Sequence, residues 1–389
     1  MTVVRPPWVA ADGDAAQGAR DEAFMRRALA LGDEALGTTW PNPSVGAVVV
    51  RETTNGPAIV GEGVTQPGGR PHGEPVALDH AGDAAVGATL YVTLEPCAHR
   101  SVRGATPCVE RTFLAGVRRA VIAIEDPNRH IAGLGVALLR SMGVSVTTGV
   151  LRGDAARSHR GHFSRVRRGR PMVTLKIART ADNYCAGPGG ARLQISCGEA
   201  SREVHLLRAH HDAIMVGVGT VLADDPQLTV RLEGLEHRSP VRVVLDSRLR
   251  TPTDSALFRT ARAAPVWIVA AEDAPVHAEH ALRGAGAEVM RVGRGGDGAL
   301  DLKEALELLA TRGITRVFSE GGPVVGEQLA LRDLVDVMVV STSVKRLDAP
   351  GVVAIRDGLA ERLAAPGVFT LRAMQVHGDD TFEIFERPV

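Results

Sequence analysis

His72, Glu74, Cys97 and Cys108 are the residues of this 389-residue chain whose types and spacing point most directly to chemistry. One imidazole and two thiolates make three ligands for zinc. Three protein ligands leave the fourth tetrahedral position open to water or substrate, which separates a catalytic site from a closed four-ligand structural one. Two thiolates neutralise the ion, and water at the open position can then lose a proton near neutral pH. Glu74 need not ligate and stands close enough to carry that proton. Taken singly, each cysteine reads as a small hydrophobe and His72 as a polar loop residue. Taken together they read as a site. A structural site would need a fourth ligand, and the nearby His80 and His99 lack any characteristic partner spacing.

These side chains need elements to hold them. Pro75 disfavours helical geometry in the residue before it and is tolerated in a first turn, so Glu74 is expected at a helix start. Residues 89–94 read as a strand running into Glu95-Pro96-Cys97, which places Cys97 where a helix or tight loop begins, with backbone N–H groups directed at its sulfur. Around them the pattern predicts an opening helix over 21–36 with acidic Asp21 and Glu22 in its first turn. A hairpin of 45–50 and 58–60 follows, turning at Asn55-Gly56-Pro57. Strands at 120–124 and 144–148 alternate with helices at 109–115 and 134–141, which specifies a layered α/β sheet. After Pro171 a second alternating series begins. Strands are expected at 172–177, 213–216, 241–245, 266–270, 317–319 and 334–341, helices at 199–209 and 302–311, and closing strands at 369–374 and 382–387. The glycine-dense tract 292–298 reads as a surface turn.

Length predicts two cores. We expect a flexible tail over 1–20, a first domain over 21–150, a basic linker over 151–170 and a second domain over 171–389. Hydrophobic content of 44% and charged content of 23% are those of a soluble globular protein, and no apolar run approaches the roughly 18 residues needed to span a bilayer. The first residues lack the apolar core of a signal peptide, so a cytoplasmic address is expected. Forty-five basic residues balance forty-five acidic ones, which favours a small-molecule substrate over nucleic acid or membrane. Arg165, Arg167, Arg168 and Arg170 form a local basic run, but with Phe163 as the nearby aromatic it reads as a solvated linker sooner than a nucleic-acid grip. Cys97 and Cys108 are expected as ligands and Cys185 and Cys197 as structural thiols.

His-x-Glu, then Pro-Cys, then a second Cys is the signature of zinc nucleobase deaminases, in which the glutamate moves protons and does not ligate. Hydrolytic deamination is therefore expected. The wider context, with Pro41-Asn-Pro-Ser-Val-Gly46, Thr93-Leu-Glu-Pro-Cys-Ala-His99 and Glu125-Asp-Pro-Asn128, resembles the deaminase half of bifunctional riboflavin-biosynthesis deaminase-reductases. Thr174-Leu-Lys176, Leu206-Leu-Arg208, the run from Val216 to Arg231, Leu245-Asp-Ser247 and Glu320-Gly-Gly-Pro323 are similar to that family's reductase half, in the same order. The resemblance implies a cytidine-deaminase-like three-layer N-terminal domain and a dihydrofolate-reductase-like α/β C-terminal domain. It implies zinc-dependent deamination of 2,5-diamino-6-(5-phosphoribosylamino)pyrimidin-4-one, then NADPH-dependent reduction of the ribosyl chain to ribityl, in a homodimer or tetramer.

Carried over by position, His72, Cys97 and Cys108 would bind zinc and Glu74 would be catalytic. Asn42, His99 and Arg103, with Arg100 as the alternative to Arg103, would contact substrate in the deaminase. Lys176, Arg192, Arg208, Leu228, Arg231 and Glu320 would do so in the reductase. Arg179, Gln194, Thr220, Asp224, Ser247, Gly321 and Gly322 would hold NADPH. For the glycines there is independent support, because glycines opening a helix after a strand let backbone amides approach phosphates. Some positions depart from the pattern. Ten residues separate Cys97 from Cys108 where the family has eight, Val76 and Thr65 stand in place of histidines, Asn183 in place of a glycine and Gln194 in place of a tryptophan. An alternative follows from the last two, in which a zinc deaminase carries a C-terminal domain that is not a competent reductase.

Overall fold

A computed structural model describes residues 12–99 and 104–388. Two compact units divide between Arg168 and Gly169. The N-terminal unit runs α1 (Asp12–Glu34), β1 (Gly46–Thr53), β2 (Gly56–Val64), α2 (Gly73–Ala81), β3 (Thr89–Val92), α3 (Cys108–Leu114), β4 (Arg119–Ile122), α4 (Leu134–Ser141), β5 (Ser145–Thr148), α5 (Arg152–Ser158) and α6 (Arg160–Arg168). Its strands form one sheet in the order β2-β1-β3-β4-β5. Pairing is antiparallel from β2 to β3 and parallel from β3 to β5. Consecutive residues Ala47, Val48 and Val49 on β1, and Leu90, Tyr91 and Val92 on β3, are all buried. Neighbouring side chains point to opposite faces, so both faces of the sheet are covered.

Glycine lets the helices come close. A Cβ on Gly46 would overlap the Ala28 carbonyl of α1, and Cβ atoms on Gly61 and Gly63 would overlap the α2 backbone at Ala77. The second contact seats the start of α2, and with it His72 and Glu74, against the hairpin.

Two expectations are corrected in this unit. Helix α1 begins at Asp12, so residues 12–20 are helical where a flexible tail was expected, while residues 1–11 lie outside the described residues. Ala16, Gln17 and Ala19 are strong helix formers, and Gln17 Nε2 donates to Asp21 Oδ1 at 2.9 Å. The segment 151–170 is likewise no linker, because it forms α5 and α6. Ala155 and Phe163 enter the core, the Arg167 guanidinium lies 4.9 Å over the Phe163 ring, and Arg165 Nη1 donates to the Pro41 carbonyl at 2.7 Å. Arginines can cover an apolar stripe with their stems, which hid this amphipathic pair among basic residues.

The C-terminal unit runs β6 (Met172–Arg179), β7 (Tyr184–Ala186), α7 (Gly198–Ala209), β8 (Ala213–Gly217), α8 (Val218–Asp224), β9 (Val241–Leu245), α9 (Ala256–Arg259), β10 (Val266–Ala271), α10 (Val276–Gly284), β11 (Ala287–Val292), α11 (Leu302–Thr311), β12 (Arg316–Ser319), α12 (Pro323–Leu331), β13 (Val337–Ser343), β14 (Val352–Val353), α13 (Asp357–Ala364), β15 (Thr370–His377) and β16 (Asp380–Glu386). Nine strands form one sheet in the order β11-β10-β9-β8-β12-β6-β13-β16-β15, and β14 pairs with β7 separately. Pairing is parallel from β11 to β13 and antiparallel for β16 and β15. Arg170 opens the unit through a buried ion pair with Asp336, at 2.7 and 3.0 Å.

Candidate active sites

Three segments of the N-terminal unit bring the expected ligands together. His72 caps α2 in extended backbone, Cys97 lies in the loop after β3, and Cys108 opens α3. His72 Nδ1 is 3.4 Å from Cys108 Sγ and 3.8 Å from Cys97 Sγ, and the three ligand atoms lie within 4.8 Å of one another. Tetrahedral zinc, with bonds of about 2.0 Å to nitrogen and about 2.3 Å to sulfur, sets neighbouring ligand atoms about 3.5–3.8 Å apart. The cluster fits one such ion. Cys108 N–H points at Cys97 Sγ, 3.4 Å away, which supplies the expected backbone support for a thiolate. A hydrogen bond between the two thiols, donated by Cys108, holds the Cys97 thiol well below its usual range. The same bond and burial push Cys108 up, and the bond to Cys97 pushes His72 up. Negative sulfur beside positive charge is favoured here, and a divalent cation supplies that charge more fully than a proton.

Glu74 occupies the first turn of α2 and is 2% exposed. Burial raises its carboxyl to about 6, against the opposing pull of His72. Its Oε2 has no hydrogen-bond partner among the described residues. Leaving such a group unsatisfied costs about 1–3 kcal/mol, as suits an oxygen reserved for a proton in transit.

Glu95 was missed by the sequence reading. Its buried carboxylate accepts four backbone N–H bonds, Oε2 from Asp126 at 3.0 Å and Gly133 at 2.9 Å, Oε1 from Gly135 at 2.8 Å and Val136 at 3.2 Å. It thereby ties the Cys97 loop to the loop after β4 and to the start of α4. The available signal was a charged residue within a buried run. Asn42 Nδ2 donates to the Gly69 carbonyl at 2.7 Å, which pins the Pro41–Pro43 loop. His99 is exposed, and Arg103 and its alternative Arg100 lie outside the described residues.

In the C-terminal unit a cavity of about 1000 Å³ opens at the C-terminal ends of β6, β8 and β12, and its wall includes Lys176, Arg192, Gln194, Arg208, Thr220, Asp224, Leu228, Arg231, Glu320, Gly321 and Gly322. Arg208 grips Glu320 with two bonds, Nε to Oε1 at 2.7 Å and Nη2 to Oε2 at 3.0 Å, and its Nη1 donates to the Thr229 carbonyl at 3.0 Å. Burial raises the Glu320 carboxyl, but Arg208 and Lys176 outweigh it and hold the group below the usual range. Burial lowers the Lys176 amine, with Glu320 opposing.

The loop 225–231 is bent through Asp225 at φ 39° and Leu228 at φ 56°, a conformation that side chains with a Cβ adopt at a cost. Arg242, fully buried on β9, helps to hold it by donating to the Gln227 carbonyl at 3.2 Å. Gly322 caps α12 directly after β12, as expected for a backbone cradle. Arg179 and Ser247 are not on the cavity wall. Arg179 Nε instead donates to Thr342 Oγ1 at 2.9 Å. The sequence reading gave Gln227 no role and took Cys185 as a structural thiol, and both line the cavity.

Residues 19–124 match the cytidine and deoxycytidylate deaminase zinc-binding region, and residues 171–345 match the RibD C-terminal domain. The chain is 35% identical over 386 residues to riboflavin biosynthesis protein RibD of Escherichia coli, spanning 93% of this chain and 98% of that protein. The chain belongs to the RibD family. RibD of Aquifex aeolicus is 38% identical over 304 residues, 78% of this chain and 81% of that one. Two solved structures share the fold across 96% of this chain and all of theirs. Acinetobacter baumannii RibD does so with a TM-score of 0.82 at 30% identity. The diaminohydroxyphosphoribosylaminopyrimidine deaminase/5-amino-6-(5-phosphoribosylamino)uracil reductase of Thermotoga maritima does so with 0.80 at 31%. Both expected fold classes follow, deaminase-like in the N-terminal unit and reductase-like in the C-terminal unit.

Membership of the RibD family sharpens the two reductase departures. Asn183 has φ 67°, and asparagine is among the few residues other than glycine that tolerate it. Its side chain exchanges two bonds with the Ile355 backbone, at 3.0 and 3.2 Å, so the turn is kept. Gln194 is exposed on the cavity wall, with Nε2 donating to the Ser196 carbonyl at 3.1 Å and its own carbonyl accepting from Lys345 Nζ at 2.8 Å. It offers an amide where the resemblance led to the expectation of an indole.

Proposed function

We propose that the N-terminal unit hydrolyses the 2-amino group of 2,5-diamino-6-(5-phosphoribosylamino)pyrimidin-4-one, and that the C-terminal unit reduces the ribosyl chain of the product with NADPH. The two reactions are consecutive steps toward riboflavin. The observation that carries this reading is the metal centre, one imidazole and two thiols within reach of a single ion, beside a buried glutamate with an unpartnered oxygen. When held by His72, Cys97 and Cys108, zinc supplies a Lewis acid beside which water gives up a proton near neutral pH. Glu74 takes that proton at Oε2 and delivers it to the ring nitrogen, and it then carries the second proton, from the hydroxyl added at the ring carbon, to the departing ammonia. Asn42, His99 and Arg103, or Arg100, orient the pyrimidine and its phosphoribosyl arm.

In the reductase NADPH supplies hydride. Lys176, Arg192, Arg208 and Arg231 meet the substrate phosphate and ribose, since a dianion favours fixed cationic donors. Leu228 and Glu320 complete that wall. Thr220, Asp224, Gly321 and Gly322 hold the cofactor at the start of α12, and Arg179, Gln194 and Ser247 are assigned to it by resemblance. A cytoplasmic setting suits thiols that must stay reduced to ligate.

The C-terminal unit also carries an edge strand, β15, with Leu371, Met374 and Val376 exposed by 46%, 63% and 75%. An open apolar edge supports self-association through that unit.

Metal analysis with coupled assays tests the reading. About one zinc per chain is expected, with NADPH consumed only after deamination or when the deaminated product is supplied. A zinc-loaded protein inert toward the diaminopyrimidine phosphate overturns it. Failure to turn over the deaminated product would favour the alternative of a non-competent C-terminal unit.

A further inference from the structure

The segment 227–231 lies outside any strand and gives Gln227, Leu228 and Arg231 to the wall of the reductase cavity. Its backbone polar groups have no ladder to join, so they need partners from elsewhere. Side chains supply them. Arg242 Nη1 donates to the Gln227 carbonyl at 3.2 Å, Arg208 Nη1 donates to the Thr229 carbonyl at 3.0 Å, and Ser239 Oγ accepts the Val230 N–H at 3.0 Å. The series ends at His205, whose Nδ1 accepts the Arg231 N–H at 3.3 Å.

His205 and Arg208 stand three apart on α7, hence on one side of the helix, and together they clasp this segment. His205 is buried and is not itself on the cavity wall, so any influence it has on a bound ligand passes through Arg231. Burial, then the charges of Arg208 and Arg231, bring its imidazole down to about 4, with Glu320 and the Thr229 backbone opposing. At pH 7 the ring is neutral and keeps a lone pair on Nδ1 for the Arg231 N–H. The residue type fits this place. A carboxylate would accept the same bond but would cancel charge that Arg208 and Arg231 offer to an anion, and an aliphatic side chain would leave the N–H without its acceptor. A neutral acceptor does neither.

We propose that His205 is a positioning residue of the reductase, whose ring nitrogen fixes the backbone of Arg231 and so sets where that guanidinium stands in the cavity. The inference rests on the reductase reading above, in which Arg231 meets the substrate. It adds two requirements at position 205, a hydrogen-bond acceptor and the absence of negative charge. Each can be removed without the other.

Full-length His205→Leu, His205→Asn and His205→Asp are compared with the wild-type protein. Leucine has no acceptor, asparagine keeps a neutral one close to the place of Nδ1, and aspartate keeps an acceptor but adds charge. Readouts are melting, NADPH affinity, deamination, steady-state reduction of the deaminated intermediate, and calorimetric titration with ribose 5-phosphate. His205→Leu is expected to raise reductase KM for the intermediate about tenfold with kcat within about twofold, as for one lost hydrogen bond at the upper end of its range. His205→Asn should stay within about threefold of the wild type. His205→Asp should raise KM about a hundredfold, because its charge competes with the anion for both arginines. NADPH affinity and deamination should hold within about twofold in all three, and ribose 5-phosphate binding should weaken in the order Asn, Leu, Asp. An unchanged KM in His205→Leu, an aspartate variant no worse than the asparagine one, NADPH affinity or melting falling in step with KM, or ribose 5-phosphate binding that is absent or alike in all four proteins overturns the proposal. Should the leucine variant fail to fold, the asparagine and aspartate variants decide. A wild-type protein that does not reduce the intermediate fails the functional reading instead, and the ribose 5-phosphate series still judges His205.

Discussion

The metal centre and the reductase cavity are built on opposite plans. In the first, three ligand atoms within 4.8 Å of one another are backed by a helix seated on glycines and a carboxylate with four backbone bonds. In the second, about 1000 Å³ of space is framed by a part-buried ion pair and by a loop with two non-glycine residues in left-handed backbone. A site whose chemistry comes from an ion needs few atoms at fixed spacing. A site for two large ligands draws one or two residues from each of many segments, and its shape depends on electrostatic balance.

Removing the metal should separate the two plans most sharply. Cys108→Ala, or treatment with a strong chelator, is expected to lower deamination by about a thousandfold or more, since the Lewis acid is lost. NADPH-dependent reduction of supplied intermediate should stay within about twofold. Metal analysis beside both assays checks this, and a parallel loss of reduction would break the claim of independent sites. Glu74→Gln should keep its zinc and still lose about 10²- to 10⁴-fold in deamination, the range for a general acid–base group.

The same contrast explains what could be read from the sequence. His72, Glu74, Cys97 and Cys108 were legible because metal ligation restricts residue type and spacing, and the fold does bring the three ligands together. Glu95 was not, because its partners are backbone N–H groups of a loop some thirty to forty residues onward. Such a donor set has no residue-type signature. Helix α6 was hidden by arginines whose stems mask an apolar stripe. In the C-terminal unit six of the seven strands of the parallel sheet were clear, while β11 at its edge was missed. Helix α10 was missed too, and Leu282 is its sole buried residue.

Arg208→Ala tests the electrostatic frame of the cavity. It leaves Glu320 with Lys176 as its remaining cation and frees the Thr229 carbonyl. Breaking a buried pair from one side costs about 3–5 kcal/mol, so the unfolding transition of the C-terminal unit should move to lower denaturant. Deaminase activity below that transition should be unaltered. Glu95→Gln is the matching test in the N-terminal unit. It replaces one acceptor oxygen by an amide that donates toward N–H groups, and hydrogen bonds to a charged group contribute about 1.5–3 kcal/mol. Chemical denaturation should show that loss while metal analysis still finds zinc. Zinc lost without any stability change would mean that Glu95 acts on the ligands directly.

The smallest expected effect concerns Asn183, where the resemblance led to the expectation of a glycine. Alanine there would face φ 67° without the two bonds to Ile355. Left-handed backbone costs a residue with a Cβ about 1–2 kcal/mol, so Asn183→Ala should destabilise the C-terminal unit by about 2 kcal/mol in denaturant titration once the lost bonds are included. Glycine gives up the bonds but has no Cβ to strain, and Asn183→Gly should cost less than about 1 kcal/mol. Under the conformational account, reduction of supplied intermediate is the same in the glycine variant and the parent, because asparagine only preserves a backbone shape. A glycine variant that reduced intermediate much faster would show that asparagine restrains the cavity. The contrast between the two sites would then lie in competence as well as in construction.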